Sequence, residues 1–395
     1  MEVQRFKKNI KVYVLFRFFI SMLIIGPILT PYMLFKGLNY SQIMLLQSIA
    51  AISVFVFEVP TGAIADKISR KVSLVMSGFF IALGTLFYIV FSSFYLFAIA
   101  EILFGIGLTF ASGADSAILY ESLDKLGRKK DYQYFEGHAS FYIFIGQAFG
   151  SILSGFLYKI NPYAPWWISI VNVLIASLIA FSFTEPSKNK SKHKYLIHVF
   201  KSFNIAFKTP RILWAIVFSA IIGFTFKSSF WLYQPYFKSV NIDVMWYGVI
   251  FFFFNIIAVF SSKILVKRYY DKRPRKVLIR LLILLSITFI LPAIFIFPFM
   301  VIVLSLQQIL RGLYPPTLKF YINHQIKNEY RATVLSLVSL VANLSFAIFS
   351  PFVGMSLDSF GMKTTYIWMG TVTVGGILVL TKLRKIQKNK KILDK

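Results

Sequence analysis

Apolar residues in this chain form long runs separated by short polar clusters, instead of the narrow stripes of water-facing helices. A helix needs roughly 20 mostly apolar residues to cross the hydrocarbon core of a bilayer. Twelve runs qualify, at about 12–34, 42–63, 72–91, 95–119, 137–158, 165–183, 212–237, 246–266, 277–297, 299–322, 332–354 and 364–381. Backbone groups in lipid must be satisfied internally, and no short alternating strands of a barrel are seen, so the runs predict helices. Little more than Pro298 separates the ninth run from the tenth. The first run follows a basic segment, residues 1–11, like the start of a signal peptide. It continues to about Leu34 without a small-residue cleavage site, so it is expected to be retained as a span.

Composition agrees. Of 395 residues, 57% are hydrophobic and 15% charged, with a mean hydropathy of +0.69. That excludes disorder and argues against a soluble enzyme. The net charge of +28, from 43 Lys and Arg against 15 Asp and Glu, would by itself suggest a nucleic-acid partner. Its distribution says otherwise. With the N-terminus placed inside, the inner segments hold 34 basic residues and the outer loops four (Lys36, Lys159, Lys238 and Lys363). This asymmetry predicts cytoplasmic termini, a multi-pass protein of the cell membrane and an anionic inner leaflet as its lipid partner, with no nucleic acid. Cysteine is absent, and the four histidines (His138, His193, His198, His324) have no metal-ligand spacing. With no Ser/His/Asp set and no phosphate-cradling loop, neither enzyme activity nor a metal or cofactor is expected.

Residues 184–211 form the one long polar break. Leu196, Val199, Phe200, Phe203 and Phe207 recur at helical spacing among Lys194, Lys201 and Lys208, which predicts a basic amphipathic helix on the inner surface. The break divides the chain into 1–183, a linker at 184–211, and 212–395. The two halves also share a loop: Asp66, Lys67, Arg70 and Lys71 recur as Asp271, Lys272, Arg275 and Lys276 at an offset of 205. A match between the second and third runs of each half indicates duplication, and parallel repeats around a midplane site are a transporter architecture.

The loop resembles the signature of the major facilitator superfamily, G-x-x-x-D-[RK]-x-G-[RK]-[RK]. Gly62, Asp66, Lys67, Arg70 and Lys71 match it, Ser69 stands where Gly is usual, and Lys267 replaces the leading Gly of the second copy. The resemblance implies an all-α integral membrane protein of twelve transmembrane helices in two pseudo-symmetric six-helix bundles. It further implies a monomer that moves a small-molecule substrate by rocker-switch alternating access, with a proton gradient as energy source. It assigns the loop the role of a latch on the cytoplasmic side. Gly62 would let helices approach closely, Asp66 would accept from or face a helix N-terminus, and Arg70 and Lys71 would hold helix ends and lipid phosphates. Glu58, just before Pro60, would support the loop, with Asp271 and Arg275 in the second copy. The family's drug–proton antiporters carry G-P-x-x-G-G in the fifth span. Residues 150–155 keep only Gly150 and Gly155, beside a small-residue face at Gly146, Gly150 and Ser154.

Charges inside a membrane are costly and mark candidate functional sites. In the fourth run Glu101, Gly105, Leu108, Ser112 and Asp115 fall on one stripe of a continuous helix. Its two carboxylates would lie about 21 Å apart. Glu101 stands where many relatives carry Arg and is the expected proton carrier, with Asp115 second; the alternative is a structural ion pair to Arg17 or Lys227. The substrate cavity is expected to include Arg17, Lys227, Trp231, Gln234, Arg311 and Lys319, with Trp231 offering cation–π contact to Lys227. Gln308–Gly312 parallels Glu101–Gly105 in the tenth run. The expected activity is proton-coupled export of small lipophilic organic compounds. The alternatives are import or exchange of organic anions through the basic second half, a lipid-intermediate flippase, and a non-transporting sensor.

Overall fold

A computed structural model describes residues 2–185, 209–262, 273–326 and 331–393. The expected amphipathic helix and Asp271 lie outside the described residues. Among those described, the secondary structure is helical, without strands. The chain separates into two compact units, Met1–Asn189 with Ile242–Ile256, and Lys190–Asn241 with Ile257–Lys395.

The first unit holds α1 (Glu2–Ser21), the short α2 (Leu29–Phe35), α3 (Tyr40–Lys67), α4 (Arg70–Val90), α5 (Phe94–Ala111), α6 (Ala114–Lys125), α7 (Tyr132–Ile160) and α8 (Ala164–Ala180). Local chemistry sets the ends. Asn39 and Gln42 form a reciprocal capping box at the start of α3, and Ser69 Oγ accepts from the Val72 N–H at 3.1 Å to open α4. Helix α4 packs on α5 and α8, α3 on α5, and α1 on α7 and α8. The later helices are α9 (Pro210–Ser239), α10 (Tyr247–Phe260), α11 (Pro274–Ile294), α12 (Met300–Ser305), α13 (Gln307–Asn323) and α14 (Arg331–Leu393). In the second unit α9 packs on α14, and α11 on α13 and α14.

By length and composition, eight helical stretches among the described residues can cross a membrane, where twelve were expected. The difference has local causes. The last two expected spans run on through one stretch, Val334–Arg384, bent at Gly361 with φ +75°. Two others are short, Ala164–Ala180 and Val244–Phe260. The tenth is broken at Leu306 between α12 and α13. The surface departs from that of a water-soluble protein, with polar groups inside beside the apolar core and large apolar side chains outside. Ser73, Ser77, Thr85, Glu101 and Ser154 lie inside, while Phe55, Val59, Leu153, Leu178 and Leu378 are exposed. Apolar exteriors of this kind suit lipid as the surrounding solvent.

The fourth run departs most from expectation. Helix α5 stops at Ala111 and α6 restarts at Ala114, with Gly113 at φ +76° between them. Positive φ is open to glycine at little cost, and a regular helix cannot contain it. Glu101 and Asp115 therefore sit on two separate helices, and the expected continuous helix with one stripe does not hold. Within that run Leu108 and Ser112 are exposed, whereas both carboxylates are buried.

Candidate functional site

Glu101 lies in α5, facing α3 and α4. Its Oε1 accepts from Gln47 Nε2 at 2.9 Å and from Tyr88 Oη at 2.5 Å. No salt bridge to it occurs among the described residues of the first unit, and Arg17, offered as an alternative partner, pairs with Asp115 instead. The sequence reading missed both partners because neither carries charge. Four residues on, Gly105 lets α5 and α3 touch: a Cβ there would meet Ser53 Oγ at 2.6 Å and Ser53 Cβ at 2.8 Å.

The second unit repeats the close approach at the glycine but surrounds the counterpart of Glu101 with different partners. A Cβ on Gly312 would meet the Ser262 N atom at 2.7 Å and Ser261 Cβ at 2.8 Å. Gln308, the counterpart of Glu101, donates to Tyr233 Oη at 3.1 Å, and Tyr233 donates to Gln307 Oε1 at 2.6 Å. An amide in one copy and a carboxylate in the other mark Glu101 as the specialised position.

Asp115 lies in the first turn of α6. It forms an ion pair with Arg17 and accepts from the Ser116 N–H at 2.5 Å. A carboxylate is favoured at a helix N-terminus, so this pair joins α1 to the start of α6. Beside it Tyr13 donates to Glu136 at 2.7 Å, and Asn9 donates to Ser122 and to the Thr184 carbonyl, each at 2.8 Å.

The expected cavity residues of the second half do not share one environment. Lys227 donates to Asn343 Oδ1, and no cation–π contact to Trp231 occurs among the described residues. Trp231 and Gln234 are buried. Arg311 is half-buried, while Lys319 is exposed.

The latch residues behave differently from the resemblance. Gly62 makes no close approach, since a Cβ there would meet nothing within 4 Å. Asp66 is 71% exposed and stands 3.8 Å from the side chain of Arg70, the first residue of α4, while the backbone N–H groups that open α4 go to another carboxylate. That residue is Glu185, which the sequence reading did not single out. Its carboxylate accepts from Ser69 Oγ at 2.7 Å, the Arg70 N–H at 2.8 Å and the Lys71 N–H at 3.1 Å at the start of α4. Arg70 pairs with Glu121 of α6. Lys67 is exposed, and Glu58 accepts from Ser112 Oγ at 2.8 Å at the break after α5. In the second copy Arg275 Nε donates to Tyr321 Oη at 2.7 Å.

These contacts separate the two glycines. Gly62→Ala is expected to raise thermal stability slightly, by about 0.5–1 kcal/mol, because alanine restricts the unfolded chain and meets open space. Gly105→Ala is expected to cost about 1–3 kcal/mol by forcing α3 and α5 apart. Melting of the two purified variants checks both signs.

In α7, Gly146 meets the Phe18 carbonyl, since a Cβ would lie 2.6 Å from it. A Cβ on Gly155, the end of the degenerate span-five motif, would likewise collide with the Val244 and Met245 carbonyls. Nearby, Lys159 donates to Asp243 at 2.6 Å. That hydrogen bond, with one from the Met245 N–H, holds the Asp243 carboxyl below its ordinary range.

The family model described as Major Facilitator Superfamily matches residues 12–299 and 244–394. The MFS-type transporter YxaM of Bacillus subtilis (strain 168) is 24% identical over 386 residues, 94% of each chain. Among solved structures, the nucleoside transporter NupG superposes with a TM-score of 0.79 at 15% identity, covering 95% of this chain and 99% of its own. A bacterial homologue of the human lysosomal transporter Spinster gives 0.73 at 16% identity, covering 97% and 95%. Their agreement in fold joins the duplicated loop and the paired Gly105 and Gly312 contacts: the chain belongs to the Major Facilitator Superfamily of secondary transporters.

Proposed function

We propose that the protein is a proton-coupled exporter of small lipophilic organic compounds, with Glu101 as the proton carrier. Glu101 carries the reading: a buried carboxylate bonded to Gln47 and Tyr88 with no cation in salt-bridge range among the described residues of the first unit, where the second unit has Gln308. Such a group can gain and lose a proton without breaking an ion pair. Asp115, held by Arg17 at a helix start, serves the fold in this scheme. Twelve spans, cytoplasmic termini and residence in the cell membrane complete the picture, resting on the charge asymmetry of the loops. Export rests on the partial span-five pattern at Gly150 and Gly155.

The test begins with a thermal-shift ligand screen of purified protein at two pH values. Each hit is then loaded into proteoliposomes and a pH jump imposed. Gradient-driven flux of at least one lipophilic hit is expected. Flux indifferent to the gradient removes proton coupling, and hits confined to anions turn the reading to anion exchange. The latter has its own support in Lys227, whose bonded partner is the neutral Asn343.

A further inference from the structure

The two copies of the shared loop differ in how their helix starts are neutralised. In the first unit the chain supplies its own anion: Glu185 receives Ser69 Oγ and two N–H groups at the start of α4, and Arg70 pairs with Glu121. A shift of 205 from Glu185 arrives at Lys390, which reverses the charge.

At the corresponding end of the second unit lies a cavity of about 500 Å³ at the start of α11. Five cationic side chains line it, Arg211, Arg273, Arg275, Lys276 and Arg384, and among the described residues no carboxylate does. Among the described residues the remaining polar lining is neutral. Tyr321 Oη takes Arg275 Nε, and Gln325 Oε1 takes Arg211 Nη1 at 2.8 Å. The Arg275 guanidinium is held 5.2 Å from the Trp214 ring centre and 5.1 Å from that of Tyr321. Its Nη2 is buried with no hydrogen-bond partner among the described residues.

We propose that this pocket binds a phosphate group. Five positive charges around one cavity repel each other unless an anion joins them, and the helix start adds to the positive field. A phosphate offers several acceptor oxygens, which suits guanidinium forks approaching from different helices better than a single carboxylate would. The group is supplied either by the headgroup of an anionic phospholipid or by free phosphate, and the recognition chemistry is the same. The pocket lies at the end where α9 and α11 begin and α13 ends, the basic end of the unit.

The experiment uses the full-length protein, stripped of lipid in neutral detergent. Inorganic phosphate, dihexanoylphosphatidylglycerol and the uncharged dihexanoylglycerol are titrated separately, with melting temperature as readout. A saturable rise is expected with at least one phosphate-bearing probe and none with dihexanoylglycerol. Saturation by phosphatidylglycerol where phosphate fails identifies a lipid site, and the reverse identifies a free-phosphate site. Arg273→Gln with Lys276→Gln changes two exposed side chains and is expected to weaken binding about tenfold or more. Arg275→Lys, which keeps the charge and removes the fork, is expected to weaken it as well. The exposed pair Lys129→Gln with Lys130→Gln in the first unit is expected to leave binding unchanged. No saturable effect of either phosphate probe, or wild-type binding by the Arg273/Lys276 variant, overturns the proposal.

Discussion

Glu101→Gln is expected to leave the protein folded and to abolish gradient-driven flux in proteoliposomes. The expectation of intact folding comes from the hydrogen bonds. Gln47 Nε2 and Tyr88 Oη both donate to one oxygen, Oε1, and the amide oxygen of glutamine accepts both in the same place. The protein itself places Gln308 beside Tyr233 at the matching position of its second unit. What glutamine lacks is a titratable proton. Substrate exchange without a pH gradient should therefore persist, while uphill transport driven by the gradient falls to that of protein-free liposomes. Full proton-driven accumulation by Glu101→Gln would show that the proton rides elsewhere. This measurement leaves the phosphate pocket untouched, because that pocket is read by ligand titration of the unchanged protein.

Arg17→Gln should produce the largest loss of stability, about 3–5 kcal/mol. It leaves the Asp115 carboxylate, 7% exposed as a side chain, without its cation. Removing both charges is far milder: Arg17→Gln with Asp115→Asn should recover most of the loss, since two neutral partners can still hydrogen-bond. Denaturation of the purified single and double variants separates these outcomes. If the single variant melts with the wild type, the pair does not hold α1 to α6. If the double variant instead retains proton-driven flux, Asp115 is excluded as the carrier and the task falls to Glu101.

Much of the architecture is legible in the sequence because lipid imposes a simple requirement. Apolar runs become helices, and the repeated Asp-Lys-x-x-Arg-Lys loop identifies two related halves. The pairing of Asp115 with Arg17 is also within reach, since a buried carboxylate in a cation-rich chain has few alternatives. Other features are hidden for physical reasons. The break at Gly113 is invisible because Ala-Ser-Gly-Ala is equally suited to a continuous, closely packed membrane helix. Gln47 and Tyr88 carry no charge, so nothing in the pattern distinguishes them from neighbouring residues. Glu185 reaches Arg70 across 115 positions, a contact made only by the fold. The family pattern misleads at Gly62, where a Cβ would meet open space. A motif records which residue types recur at a loop, and the neighbours that supply their partners belong to each chain separately.

The interruption at Gly113 has a mechanical consequence. An unbroken helix carries torque from one end to the other through its ladder of hydrogen bonds. Here that transmission stops between Ala111 and Ala114, so α5 and α6 are two levers meeting at a wrist. Glu101 is fixed to one lever and Asp115 to the other. Twisting about the backbone bonds of Gly113 turns the lever gripped by Arg17 without rotating the one held by Gln47 and Tyr88. The two carboxylates are thereby carried by separate rigid pieces of backbone.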